Sequence, residues 1–396
     1  ISNYVKSKGK SVMGWDELTN STLPEDVTVF GWRGLGNAAL KAAAQGHKFV
    51  MTPARLLYLI RYQGPQWFEP LTYFGNNTLK DVYMYEPVQP TWDKNYENLL
   101  MGVQASMWTE FCKTSRDVYY QVFPRLVALS EVAWSPKGSK DWNGFAAGLD
   151  NVLQHLSAKG INYSEAMYNV QHKAVPENGK VKVSLSCDRP DVEIRYTTDG
   201  MEPGASSTLY TSPLYIESES EIRCATYKGG VKMGQTLNLN IDWNLATGKE
   251  ILSSSPSDKV LTNGIRGSKK QSDFEWTDRY TKDDVSFILD LGANTDIKKV
   301  VLGCLSYSGM AVCKPKSIIV KLSSDGKEYR ESAAKEFSES EIFKLGNFIE
   351  DIPFDISDGK DVRYIQVEYK YAGDCPAYYI KNGQQSRCRL DEIMVY

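Results

Sequence analysis

Residues 9–34 read GKSVMGWDELTNSTLPEDVTVFGWRG. Two short β-type runs, KSVMGWDEL and VTVFGWRG, each arrive at a tryptophan followed by charged residues instead of at a tight turn. NAALKAAAQGH (37–47) has helical spacing, and KFVMTP (48–53) reads as a third strand. LLMGVQASMW (99–108) is a fourth strand, followed by the helical run SRDVYYQVFPRLVALSEVAW (115–134). Strand, loop and helix in repetition predict parallel βα units. In a closed β/α barrel, the C-terminal ends of such strands carry the chemistry. Asp16 and Glu17 lie at one of those ends beside Trp15, so they invite comparison with the carboxylate pair of a glycoside hydrolase.

Composition narrows the field. At about 150 residues per domain, 396 residues imply two or three domains. The chain is 42% hydrophobic, enough for real cores, and no apolar run approaches the roughly 20 residues of a membrane span. A net charge of −3 and a pI near 5.9 argue against nucleic acid as a partner, because phosphate binding needs a basic face. Aromatic residues make up 12%, which suits a sugar-stacking cleft and an all-β core equally well. The cysteines (112, 187, 224, 304, 313, 375 and 388) form no CxxC pair, and their odd number reads as structural thiols, not a disulfide framework. The histidines (47, 155 and 172) stand near no Ser or Cys motif, which excludes a Ser-His-Asp or Cys-His centre and a His-rich zinc site. ISNYVKSKGK opens the chain as a helix end, so the native start is expected upstream and no signal segment is visible.

Beyond about residue 170 the pattern becomes all-β. From 173 to 243, KVKVSLSC, EIRYTTDG and EIRCATYK alternate between turns at Asp199-Gly200 and Pro203-Gly204, which fits a small sandwich. From 246 to 396, VSFILDLG, KKVVLGCLSY, KSIIVKLSSDG, RYIQVEYKY and RLDEIMVY suit a larger, jelly-roll sandwich. The expected fold is therefore multidomain: an α/β partial TIM barrel over 1–170, then two all-β sandwiches.

KGKSVMGWDEL, VFGWRG, MTPARLLYLIRYQG, VYMYEPV, GVQASMWTE and FPRLVALSEVAWS, in that order, resemble the C-terminal half of the catalytic barrel of family 20 glycoside hydrolases, the β-N-acetylhexosaminidases. IRYTTDGMEPGASSTLYTSPLYI resembles the Ig-like domain that follows the barrel in chitobiase-type enzymes. LTNGIRGS, DFEWTDRY, FILDLG and LDEIMVY resemble a discoidin (factor 5/8 type C) domain, a class that often binds carbohydrate.

The resemblance implies substrate-assisted retention, in which the substrate's 2-acetamido oxygen attacks the anomeric carbon. An Asp-Glu pair in a His-x-Gly-Gly-Asp-Glu motif serves that reaction. Asp16-Glu17 follows Trp15 in the next motif along, so it is not that pair. The catalytic pair is expected upstream of Ile1, in the other half of the barrel, and this chain alone is expected to be incompetent. Trp15, Trp32 and Trp108 resemble the three-tryptophan box around the acetamido group, which compresses the amide and excludes water. Tyr58 matches the tyrosine that donates to the acetamido oxygen, and Glu110 the carboxylate that accepts from sugar hydroxyls. Asp16 is expected to brace the pocket from behind, with a plain structural salt bridge as the alternative. One departure stands out. The family usually reads Tyr-x-Asp where this chain reads Tyr58-Leu59-Ile60, followed by Arg61. Ile60 cannot accept from the O4/O6 edge of a sugar, so either the pocket is degenerate or the sugar carries a group there, anionic if Arg61 or Arg55 faces it.

In the last region Trp276, Arg279 and Tyr280 are candidates for accessory sugar binding, with sandwich packing as the alternative for Trp276. Glu392 and the LTNGIRGS loop match places where relatives hold structural calcium, and no other cofactor is implied. The resemblance further implies a glycan partner ending in β-linked N-acetylhexosamine and a periplasmic or extracellular location. Two rivals remain at this stage: a non-catalytic carbohydrate-binding or adhesion protein, and a lacto-N-biosidase-like enzyme.

Overall fold

The computed structural model describes all residues except 25, 137, 254, 271–272 and 279–283. The chain forms two compact units, one of residues 1–169 with 187–192, the other of 170–186 with 193–396.

The first unit contains helices α1 (Ser2–Ser7), α2 (Ala39–Ala43), α3 (Leu79–Met84), α4 (Ser115–Val122), α5 (Arg125–Trp134) and α6 (Trp142–Ala158). Its strands are β1 (Met13–Trp15), β2 (Thr28–Gly31), β3 (Phe49–Met51), β4 (Arg61–Tyr62), β5 (Tyr73–Asn76) and β6 (Leu100–Val103). The four strands anticipated from the sequence form one parallel sheet in the order β1-β2-β3-β6. Their register aligns Trp15, Phe30 and Val50. Since side chains alternate along a strand, those three point to one face, and Val29, Phe49 and Met51 point to the other. The second set is fully or almost fully buried together with Ala39, Ala42 and Ala43 of α2. Each such large side chain removed from water contributes about 1.5–3 kcal/mol. Two glycines permit that packing: a Cβ on Gly31 would stand 2.5 Å from the Gly36 carbonyl oxygen and 2.6 Å from Ala39 Cβ, and Gly36 has φ +81°. Only glycine tolerates both demands.

The long helix expected over 115–134 is two helices. Phe123, the residue before Pro124, is extended (ψ 140°), and α5 starts at Arg125. Proline disfavours helical geometry in its predecessor and has no N–H to continue the ladder. The break aims Arg125, fully buried, into the unit, where it donates to the carbonyls of Leu59 (2.9 Å), Arg61 (3.1 Å), Asn77 (2.9 Å) and Gln121 (2.6 Å). Burial pushes its guanidinium down to about 9, and the converging carbonyls offset a desolvation that would otherwise be prohibitive.

The strands described in the second unit pair antiparallel. Strands Gln171–Glu177, Lys180–Ser186 and Leu214–Ile216 form one sheet, and Thr208–Leu209, Glu193–Thr197, Ser220–Lys228, Val231–Lys232 and Leu237–Ile241 another. Further on, Glu250–Leu252, Val285–Thr295, Val362–Lys370, Ser317–Ser323 and Arg330–Glu336 make a five-stranded sheet. Asn347–Asp355, Lys299–Tyr307 and Leu390–Val395 make a three-stranded one. Phe287, Leu289, Val320 and Ile365 of the five-stranded sheet share one core with Leu302, Phe354 and Ile393 of the three-stranded sheet, which makes the pair a sandwich. Both β regions lie in this single unit. A buried bond between His172 Nε2 and Glu275 Oε1 (2.6 Å) and one from Asn263 Nδ2 to the Ala174 carbonyl (3.3 Å) join them.

Candidate active site

The C-terminal ends of β1 and β2 are tied together by Asp16, whose residue is wholly buried. Its Oδ2 accepts the backbone N–H of Trp32 (3.0 Å) and of Arg33 (3.1 Å), and its Oδ1 accepts Arg33 Nε (2.6 Å). Arg33 also donates to the Asp16 carbonyl (2.9 Å). Asp16 therefore holds the Trp32 loop in place from a position without solvent exposure. Both readings offered for it, brace and salt bridge, describe the same set of bonds.

Glu17 is exposed, and both its oxygens accept from the Trp32 indole N–H at 3.0 Å. That donor holds its carboxyl below the usual glutamate range, assisted by Arg33. A general acid at neutral pH needs the opposite shift. The pair that opens the sequence is thus a positioning device for Trp32.

Trp32 stacks on Tyr58 (centroids 6.1 Å, 16° between planes), and Tyr58 meets Trp108 at 6.4 Å. Tyr58 is brought there by a parallel bridge to Ser106 just beyond β6, with Leu59 N donating to Ser106 O (2.8 Å) and Ser106 N to Leu57 O (2.9 Å). Burial pushes the Tyr58 phenol up, the Trp108 and Ser106 side chains oppose this, and the charges of Asp16 and Glu17 add to it. The phenol stays protonated and remains a hydrogen-bond donor. Trp15 packs edge-on to Phe30 (5.8 Å) at the end of its own strand and is not in the Trp32–Tyr58–Trp108 stack. Trp15 and Trp108 are 37% and 44% exposed, so both keep ring surface available. Glu110 is exposed and makes no hydrogen bond or ion pair among the described residues.

Ile60 is 5% exposed, and its carbonyl accepts from Thr72 Oγ1 (2.5 Å) and Tyr73 N (2.9 Å). Arg61 donates to Ala54 O (3.0 Å) and Phe74 O (2.7 Å) and lies over the rings of Tyr73 and Phe74. The charged and polar groups acting on it are Arg55, Tyr58 and Tyr73, with no carboxylate among them. Arg55 and Arg61 are thus close enough to act on each other, and the charges acting on Arg61 include no carboxylate.

The accessory candidates fare differently. Trp276 is 3% exposed, packs with Leu305 and Val312, and donates its indole N–H to Ser268 O (2.8 Å). It is a core residue and not a stacking platform, which corrects the sugar-binding expectation in favour of the packing alternative, because its ring completes the cluster with Leu305 and Val312. Arg279 and Tyr280 lie outside the described residues. Glu392 is 1% exposed; Oε1 accepts Gly264 N (2.6 Å), Oε2 has no hydrogen-bond partner, and burial raises its carboxyl well above the ordinary range. No group of three or more His, Cys, Asp or Glu suited to a metal occurs among the described residues.

Sequence reasoning missed three contributors: Arg33, Glu17 as the anchor of Trp32, and Arg125 as the clamp on residues 59–61. Arg125 left a readable trace. Positions 125, 128, 129 and 132 are the buried face of α5, and a lone arginine at i of an i, i+3, i+4, i+7 apolar stripe signals a buried cation.

Residues 1–137 match the family model "Glycosyl hydrolase family 20, catalytic domain". This segment is similar to the catalytic domain of that family. Residues 176–238 match "Chitobiase/beta-hexosaminidase C-terminal domain". A β-hexosaminidase of Porphyromonas gingivalis is 32% identical over 250 residues, 60% of this chain and 31% of that protein. A β-N-acetylhexosaminidase of Cellulomonas fimi is 31% identical over 155 residues, 39% of this chain and 30% of that protein. The solved GH20 β-N-acetylhexosaminidase of Streptomyces coelicolor A3(2) aligns over 41% of this chain and 34% of its own, with 27% identity and a TM-score of 0.38. The chain thus spans about 30% of the length of these curated relatives. The segment that matches the family model ends before α6, and the Trp32–Tyr58–Trp108 stack lies wholly within it.

Proposed function

We propose that the chain is part of a retaining exo-β-N-acetylhexosaminidase that removes terminal β-linked GlcNAc or GalNAc from glycans with help from the substrate's own acetamido group. The observation that carries this reading is the aromatic wall of Trp32, Tyr58 and Trp108 at the C-terminal sheet edge, with a protonated phenol in its centre. Such a wall folds an acetamido group back against the anomeric carbon, and the Tyr58 O–H donates to its oxygen as that oxygen becomes the nucleophile. Trp15 closes the box from β1, and Glu110, without a competing partner, accepts from sugar hydroxyls. The Asp-Glu pair that orients the amide and protonates the leaving oxygen belongs to the other half of the barrel. A second reading concerns the sugar's far edge. Arg61, with Arg55 close to it and no carboxylate among the charges acting on it, favours an anionic substituent near O6 over a bare hydroxyl. The following domains are read as an Ig-like module and a discoidin-like, carbohydrate-binding jelly roll, with the whole protein secreted or periplasmic.

The test uses the full-length protein on an aryl β-GlcNAc glycoside. Tyr58→Phe and Trp108→Ala should each lower kcat/KM by at least about tenfold, the equivalent of one lost hydrogen bond or stacking contact near 1.4 kcal/mol. Glu17→Gln should leave a substantial rate, and the present chain alone should show none, since a general acid is worth about 10²–10⁴-fold. Turnover by the isolated chain that vanishes with Glu17→Gln would overturn the assignment. Sugar binding by a full-length protein that never hydrolyses would favour the adhesion reading, and release of a disaccharide would favour the lacto-N-biosidase-like one.

A further inference from the structure

The opposite face of the parallel sheet carries a cavity that the proposed catalysis does not use. It encloses about 540 Å³ and is lined by Met51 of β3, Leu40 of α2, and the segment between α3 and β6. Met51 and Phe49 point away from the face that carries Trp15, Phe30 and Val50, because the register places those three on the alternate side. Trp92 is held there by an edge contact to Phe49 at 5.7 Å. The volume falls within the about 300–1,000 Å³ of small-molecule sites.

Its walls combine two kinds of surface. Tyr85, Trp92 and Tyr96 supply rings, and Asn37, Gln89 and Thr91 supply polar groups. Trp92 and Tyr96 are half-buried, so their rings are partly accessible, and Asn37 and Thr91 stand exposed at the rim. The Asn37 and Thr91 side chains make no hydrogen bond among the described residues, and Gln89 uses only its Nε2, on Glu86 O (2.6 Å). Tyr85 is 5% exposed and its hydroxyl has no hydrogen-bond partner. Burial raises that phenol, so it is a protonated donor whose bond is still to be made. Buried hydroxyls are normally satisfied. Asp93 is the single charged residue lining the cavity among the described residues, and its Oδ1 already accepts Asn95 N (2.9 Å).

We infer that this cavity is a second carbohydrate site, for one neutral pyranose ring, on the outer face of the first unit. Ring faces match the apolar C–H face of a pyranose, and unpaired amides and hydroxyls match its equatorial hydroxyls. The lack of any lining cation disfavours phosphate, sulfate or nucleotide ligands. The inference stands apart from the catalytic reading, since it involves none of Trp15, Trp32, Tyr58, Trp108 or Glu110.

The experiment titrates the chain with methyl β-D-glucopyranoside and methyl β-D-galactopyranoside, which lack the acetamido group, and follows the Trp92 indole N–H signal in a ¹⁵N spectrum. The signal is assigned by Trp92→Phe. A saturable shift with at least one of these sugars is expected. Tyr96→Ala should weaken it by about tenfold, Asn37→Ala should weaken it too, and Trp108→Ala should leave it unchanged. Both Tyr96 and Asn37 are partly or fully exposed, so their variants should keep the fold, which the remaining indole signals would verify. Absence of a Trp92 shift at millimolar sugar would overturn the inference. So would loss of the shift in Trp108→Ala, or a response to tetramethylammonium in place of sugar, which would make the cavity a cation cage.

Discussion

Replacing Asp16 by alanine should unfold the first unit's sheet edge before it touches any chemistry. Two N–H groups, those of Trp32 and Arg33, converge on one carboxylate oxygen at 3.0 and 3.1 Å, inside a residue with no solvent exposure. Leaving a buried donor unsatisfied costs about 1–3 kcal/mol each. The Arg33 guanidinium is half-exposed and recovers water, so little is added for its 2.6 Å bond. The loss is therefore about 2–6 kcal/mol, toward the lower end if the 32–34 loop relaxes outward. Asp16→Asn keeps one acceptor but turns an N–H group on another N–H, and should fall between the two proteins. The assay is urea unfolding followed by tryptophan fluorescence, with amide exchange measured at Trp32 and Arg33. If Asp16→Ala shifts stability by less than about 1 kcal/mol and those amides stay protected, the carboxylate is not what holds the loop. The same variant should lower activity in the full-length protein by freeing Trp32, whereas a catalytic acid would be lost without any change in unfolding.

Three other outcomes are expected. Glu17 has its folded-state carboxyl lowered by the Trp32 indole N–H, so its contribution to stability is present above the ordinary glutamate value of 4.5 and is lost as pH falls through the lowered one; the Trp32 indole signal should move in that acidic window and stay still in Glu17→Gln. In the second unit burial pushes Asp273 up to about 6 and raises Asp391 and Glu392 as well; the folded state then binds more protons than the unfolded chain, so stability should fall on the order of 2–3 kcal/mol from Asp273 alone as pH rises from about 4 to about 6, a decline that Glu392→Gln should reduce in calorimetry with chelator present. Arg125→Lys keeps the charge but has at most three donors for four carbonyls; it should cost about 1–3 kcal/mol of first-unit stability and broaden the Tyr58 ring signals, and unchanged Tyr58 signals would dissociate the clamp from the site.

Much of the plan was legible in the residues. Local apolar patterning located the four strands of the β1-β2-β3-β6 sheet and the longer antiparallel strands such as Lys180–Ser186, Val285–Thr295 and Val362–Lys370, because alternation and strand length are set within a few residues of chain. It passed over β4, β5, Leu237–Ile241, Arg330–Glu336 and Asn347–Asp355. The strand pattern placed Trp15, Trp32 and Trp108 near strand ends, and motif order read Asp16-Glu17 as part of a different motif from the expected catalytic pair. Patterning failed where one residue overrode its neighbours, as at Pro124, which divided a helix that its flanking residues favour.

What the sequence by itself determined is therefore the identity and order of the elements and the residue types at their ends. Only the tertiary structure decided what those side chains bind. Trp276 and Trp108 are equally tryptophan in a polar loop, yet one is 3% and the other 44% exposed. Asp16 and Glu17 are adjacent carboxylates, yet one is spent on backbone N–H groups 16 and 17 residues away and the other on an indole. Burial and hydrogen-bond partnership arise between segments distant in the chain, and they vary on the scale of an ångström. Local propensity, which acts over a few neighbours, carries no information at that range or precision.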